Sequence, residues 1–240
     1  MRVSVGTMQN LSVSGQTTYL PTAIPISGNF SGNAAYKYHW YAGSVYKGAS
    51  KTAQQVSTVI QVPSGSPSKT QFYYVLLSVW DNTGSYDQIG FSDDNGVWGL
   101  TYSTTTGSCA NPTYHFDADA KPLSAGATYQ FSMISSGGKG VVFFVLSGDG
   151  KTIIFDHLVK NGASDFSIAN TYCKYYDYTD YEEVYSNTAN SVPGSSFVFN
   201  VNAYINSGSY SYPVWAKFLT NEKPAVVTVF LSGSNVKIKN

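Results

Sequence analysis

Glu occurs three times in this chain, at Glu182, Glu183 and Glu222, against 11 Asp. Two of the three are adjacent, in YEEVYS (181–186). Neighbouring side chains of a β-strand point to opposite faces, so one of Glu182 and Glu183 can face a cleft and the other cannot. A cleft carboxylate can serve as general base on an attacking water and return the proton to a leaving group. Gln88, in YDQIGFSDDNG (86–96), is a second candidate. Gly90, two residues on, would let a ligand backbone approach closely. The plainer readings are a pair of solvated glutamates near a strand end and a solvent-facing strand glutamine.

Other chemistries find little support. His39, His115 and His157 are far apart and form no HxH, HxxxH or HExxH arrangement, so no metal site is expected. DADAK (117–121) and SDDNG (92–96) look like calcium loops but lack the acid at the twelfth position, and read as solvated turns. There is no GxSxG elbow and no phosphate-cradling GxxxxGK[ST]. No cofactor is implied.

The elements that must position these residues are strands. QVSTVIQV (55–62) alternates and stops at Pro63, whereas FYYVLLSVW (72–80) is a continuous apolar run of the kind buried on both faces. Further strands are expected at 86–92, 97–103, 127–135, 140–147, 151–159, 181–186, 196–204, 212–219 and 225–232. Turn clusters such as Ser136-Gly137-Gly138 and Gly148-Asp149-Gly150 join several into hairpins. No segment carries a sustained helical period. Short strands at intervals near ten residues predict an all-β, antiparallel two-sheet β-sandwich of jelly-roll or concanavalin-like type, with a concave face. Residues 1–33 are polar, with Pro21 and Pro25, and read as an N-terminal extension or leader with edge strands; residues 34–240 read as one sandwich domain.

Composition fits that picture. Only 12% of the 240 residues are charged, 20 are Tyr, and 14 Lys+Arg balance 14 Asp+Glu, so no net field would gather nucleic acid or an anionic membrane. No stretch is long and apolar enough for a membrane span. Cys109 and Cys173 lack zinc-site spacing and are expected to form one disulfide. With the sequons at Asn10 and Asn29, they point to an extracellular protein, secreted or at the cell surface, whose signal peptide is absent from this sequence.

The order of the segments resembles the glutamic peptidases, the eqolisin family, over about residues 38–205. WYAGSVY (40–46) is similar to the family's NWAG opening, and STVIQVPSGSPS (57–68) to its strand ending in VP and a Ser/Pro/Gly-rich stretch. LLSVWDNTGSYDQIGFSDD (76–94) resembles WVGIDG followed by the strand bearing LQTG, with QIG for QTG. VWGLTYS (97–103) falls where the family has the aromatic strand YDAWYEWYP, and residues 123–155 follow its ISAGD…GKTV hairpin. TDYEEVYS (179–186) stands where NAEWIVED stands, and SSFVFNV (195–201) resembles FGTVTFT.

This resemblance implies an acid endopeptidase with a Gln and a Glu as its catalytic pair. Gln88 matches the Gln. Glu182 keeps Val184 at the apolar second position after the catalytic Glu and is preferred on that ground, with Glu183 retained beside it. Trp80, Trp98 and Tyr102 would line the cleft and hold an extended polypeptide substrate, against the simpler role of core aromatics. Three departures weaken the match at the site: VWDN replaces GIDG, WGLTYS has lost its carboxylate, and AEW has become YEE. They favour an alternative, a non-catalytic surface or filament subunit or a carbohydrate-binding sandwich. A jelly-roll glycoside hydrolase is a third reading. It needs two carboxyl groups across the cleft, which adjacent glutamates on one strand cannot supply.

Overall fold

In the computed structural model the described residues are 17–18, 38–46, 51–65, 71–94, 97–108, 111–168, 178–186, 197–204, 210–211, 215–221, 228–232 and 235–239, with side chains over 52–65, 74–92, 97–104 and 121–167. Among them the only regular elements are strands. In chain order these are β1 (Thr17–Thr18), β2 (Tyr38–Tyr46), β3 (Lys51–Ala53), β4 (Gln55–Gln61), β5 (Gln71–Asp81), β6 (Tyr86–Asp94), β7 (Val97–Ser108), β8 (Asn111–Pro122) and β9 (Thr128–Ser135). They continue with β10 (Val141–Ser147), β11 (Ile153–Val159), β12 (Phe166–Ile168), β13 (Tyr178–Ser186), β14 (Phe197–Tyr204), β15 (Tyr210–Ser211), β16 (Trp215–Asn221), β17 (Thr228–Ser232) and β18 (Asn235–Lys239).

They form two sheets. The first runs β1-β11-β10-β9-β4-β14-β18-β17, with β15 on β14; the second runs β16-β2-β13-β5-β6-β7-β8, with β12 bridging β3 and β5. Every pairing is antiparallel except β1 against β11, where Thr17 and Thr18 add in parallel opposite Leu158 and Val159. One sheet is curled into a half-barrel, and the whole is the expected antiparallel sandwich.

Alternation along the strands sets the core. Val75, Leu77 and Val79 of β5, Ile89 and Phe91 of β6, and Trp98, Leu100 and Tyr102 of β7 meet Phe131 and Met133 of β9 and Val141, Phe143 and Val145 of β10. Phe91 anchors the contact, with Trp98 edge-on at 5.5 Å and Phe131 at 6.0 Å. Fully burying each such side chain contributes about 1.5–3 kcal/mol.

β10 and β5 are continuous apolar runs because both of their faces are closed. On β10 the second face, Val142, Phe144 and Leu146, packs with Leu158. On β5, Tyr74 and Leu76 are as buried as Val75 and Leu77.

One expected turn, DADAK, is strand, and the other, SDDNG, falls at the β6–β7 hairpin, where Asp94 pairs with Val97. Residues 117–121 lie inside β8, and Asp93 and Asp94 close β6. The acids of 117–121 mislead because β8 belongs to the β6-β7-β8 meander, where backbone pairing fixes the conformation whatever the side chains favour.

Candidate active site

The β5–β6 hairpin places Gln88. Its turn is held by Asp81, whose Oδ1 accepts from Thr83 N at 2.8 Å, Thr83 Oγ1 at 2.6 Å and Ser85 N at 3.0 Å. Asn161 Nδ2 donates to Asp81 Oδ2 at 2.6 Å, and the Asn82 side chain bonds Ser164, so the turn is also tied to the segment after β11. Gly84 takes φ of 85°, the left-handed conformation such a turn needs.

From that turn the register counts out two faces. Ser78, Gln88 and Ser103 are cross-strand partners on β5, β6 and β7. They lie on the face turned away from the other sheet, with Tyr74, Leu76, Ser92 and Thr101. Ser103 Oγ donates to Gln88 Oε1 at 2.8 Å, and Gln88 Nε2 donates to Ser78 Oγ at 3.3 Å. The carboxamide therefore has a fixed sense, with its carbonyl towards β7 and its donor end towards β5 and β13. Gln88 is only 5% exposed although it faces away from the core.

The register separates the two glutamates. Glu183 pairs with Tyr74 and so holds a position on the Gln88 face, whereas Glu182 pairs with Val75, in the row that continues to Phe91 and Leu100 of the core face. Position 183 stands four residues along β5 from the Ser78 row and two strands across from Gln88. At about 3.3 Å per residue and about 4.8 Å between strands, that is about 13 Å along and about 10 Å across. A bulge between Tyr178 and Asp180 ends the regular pairing of β13, and β12 takes over beside Trp80.

The three aromatics expected in the cleft divide. Trp80, part-buried, shares the Gln88 face and packs on Tyr86 at 5.0 Å between ring centres. Trp98 and Tyr102, each 3% exposed, are core residues and not cleft residues. Trp98 donates its indole N–H to Gly65 O at 2.7 Å, and Tyr102 lies 4.9 Å from Phe143. The physical reason is parity: both stand an odd number of residues from Ser103 on β7, which sends them to the opposite face. Gly90 also differs from expectation. A Cβ there would sit 1.9 Å from Val75 O, so its missing side chain admits the neighbouring strand and not a ligand.

Sequence reading missed Ser78 and Ser103. Counting two-residue steps from Gln88 through the hairpin turn would have found Ser78, but hydroxyl residues are so frequent here that neither one stands out. Glu222, Cys109 and Cys173 lie outside the described residues. Among the described residues no cluster of His, Cys, Asp and Glu is arranged to hold a metal, and no helix is long and apolar enough to cross a membrane.

Known proteins share this architecture. Over 85% of the chain it is similar to a crystal structure of Scytalido-glutamic peptidase with a peptide based transition state analog, at 14% identity, TM-score 0.52 and 99% coverage of that chain. A second structure of that enzyme, with a transition state analog inhibitor, gives 13% identity, TM-score 0.50 and the same coverage. The fold is that of a glutamic peptidase. No family model matches the sequence, and no curated protein matches it.

Proposed function

We propose that the protein is a secreted acid endopeptidase of glutamic-peptidase type, with Gln88 as the oxyanion donor and Glu183 as the general base. The observation that supports it best is Gln88 itself. In a fold similar to that of a glutamic peptidase, the one strand glutamine that the sequence resemblance singles out is buried on the sheet face turned away from the other sheet, its amide oriented by Ser103. Register favours Glu183 over Glu182, reversing the preference drawn from Val184.

In this reading an extended polypeptide lies across β5, β6 and β13, with Trp80 against one side chain. The ionised Glu183 takes a proton from water as that water attacks the scissile carbonyl. The Gln88 N–H receives the developing oxyanion, and the carboxyl group then protonates the leaving amine. No step uses histidine, which would be protonated in acid. In this reading the two side chains and the attacking water span about 13 Å along the strands and about 10 Å across them.

That same distance, with the burial of Gln88, favours a second reading: a sandwich that keeps the fold and the polar floor but does not catalyse, and binds a peptide or a carbohydrate. The two separate by assaying cleavage of a denatured protein between about pH 2 and about pH 5. Cleavage by the wild type that is lost in Gln88→Ala supports the peptidase. No cleavage by a folded wild type overturns it and leaves the binding module.

A further inference from the structure

Behind Gln88, on the core face of β6, stands a carboxylic acid that this mechanism does not use. Asp87 is 0% exposed, and neither of its oxygens has a hydrogen-bond partner. It lies opposite Val79 of β5 and Thr104 of β7. The Thr104 hydroxyl and the Asp81 carboxyl are its polar neighbours, near enough to act on its carboxyl though neither makes a well-aligned hydrogen bond to it. Asp81 is engaged as an acceptor by four donors from Thr83, Ser85 and Asn161. Two carboxyl groups thus share one end of the core, and the donors are all on Asp81.

The other titratable groups around it are few. His157 of the facing β11 lies against Tyr102 at 5.2 Å; Asp165 accepts from Gln54; Lys160, beyond β11, is exposed. β7 contributes Thr104, and on β8 His115 holds the next register position in the Val79, Asp87, Thr104 row. Burial pushes the Asp87 carboxyl well above its usual range, and the charge of Asp81 pushes in the same direction.

We propose that Asp87 is a proton-operated lock on the hairpin that carries Gln88: protonated, it seats β6 in the core, and ionised, it loosens the β5–β6 hairpin and the floor with it. As a control on activity this rests on the peptidase reading; as a control on the fold it does not. The sign follows from linkage. The native protein keeps this proton above about pH 3.9, where an unfolded aspartate gives it up. Native molecules then bind more protons than unfolded ones, so stability is complete below that pH. It falls as pH rises towards the native value, by up to about tenfold in the folded-to-unfolded ratio per pH unit. The protein would work in acid and switch itself off on neutralisation.

The test is urea unfolding of the full chain in steps from about pH 3 to about pH 8, for the wild type and for Asp87→Asn, which is neutral at every pH. The expected result is a wild-type stability that declines with pH more steeply than that of Asp87→Asn, by about tenfold per unit. Equal slopes overturn the lock. Should Asp87→Asn not fold, infrared spectra of the wild type decide: a protonated carboxyl band that persists above the ordinary aspartate value of about 3.9 and vanishes on unfolding supports the lock, and its absence overturns it. If the protein cleaves peptides, Asp87→Asn extends cleavage to higher pH while leaving the rate in acid unchanged. A slope difference with no cleavage sustains the lock and overturns the peptidase; cleavage with equal slopes does the reverse.

Discussion

Ser103 Oγ donates to Gln88 Oε1 at 2.8 Å across the β6–β7 ladder. The bond decides which end of the amide is left as donor, because a carboxamide can turn over and present oxygen where nitrogen is needed. A hydroxyl on β7 thereby sets the polarity of a group on β6.

Ser103 is on this account a positioning residue. Ser103→Ala should lower kcat about tenfold to a hundredfold with KM little changed, as expected when a donor is misplaced and not removed. Ser103→Thr keeps the hydroxyl and should recover most of the loss. Gln88→Ala should cost more, about a hundredfold to a thousandfold. Steady-state kinetics on one acid-cleaved peptide checks all three. Equal kcat for Ser103→Ala and wild type would remove Ser103 from the site.

The two glutamates should behave differently despite being adjacent. With Glu183 as the proposed general base, Glu183→Gln should abolish acid cleavage while the protein stays folded. Glu182→Gln, in the Val75 row, should retain cleavage and show its effect in unfolding. Activity and urea midpoints measured side by side distinguish them. Loss of cleavage in Glu182→Gln alone would assign the base to the other face and refute the register argument.

These expectations show where sequence reading succeeds and fails. The strands were legible because FYYVLLSVW and VVFFVLS are long β-branched and aromatic runs ended by turn residues, and tertiary packing agrees with that local signal. β8 was not, since DADAK has the composition of a turn and becomes strand only by pairing with β7. At the site, Gln88 was visible as a residue type, but the choice between Glu182 and Glu183 depends on which residue of β5 each one meets. Cross-strand register is set by turns and bulges, and a one-residue slip exchanges the faces. Trp98 and Tyr102 were misplaced for the same reason: aromatic character is shared by cleft and core, and only parity separates them.

Parity gives the tryptophans opposite phenotypes. Trp98→Ala should destabilise the fold by about 3–5 kcal/mol, from the cavity beside Phe91 and the stranded Gly65 carbonyl. Trp80→Ala, on the Gln88 face, should cost less stability, about 0.5–1.5 kcal/mol from the Tyr86 contact, and raise KM about fivefold, a loss of about 1 kcal/mol of aromatic contact with the peptide. Urea unfolding and KM measured on both variants test this. A raised KM in a fully stable Trp98→Ala would return that residue to the cleft.

Gly90 tests how tightly the curl is built. It lies on the Gln88 face, two residues from Gln88, and a Cβ would meet Val75 O at 1.9 Å, Val75 C at 2.9 Å and Leu76 Cα at 3.0 Å. All three atoms are backbone, so no rotamer change relieves the contact, and β6 must move away from β5. Gly90→Ala should therefore cost about 3 kcal/mol, the upper end of ordinary overpacking. By displacing the strand that carries Gln88 it should also reduce cleavage in whatever fraction remains folded. Gly65→Ala is the matched control: nothing lies within 4 Å of its Cβ and its φ is not in the left-handed region. It should be neutral or stabilise by up to about 1 kcal/mol through the unfolded chain. Urea midpoints of the two variants give the comparison. A Gly90→Ala protein as stable as Gly65→Ala would mean that β5 and β6 are not pressed together at this point, and that the curl has room to open.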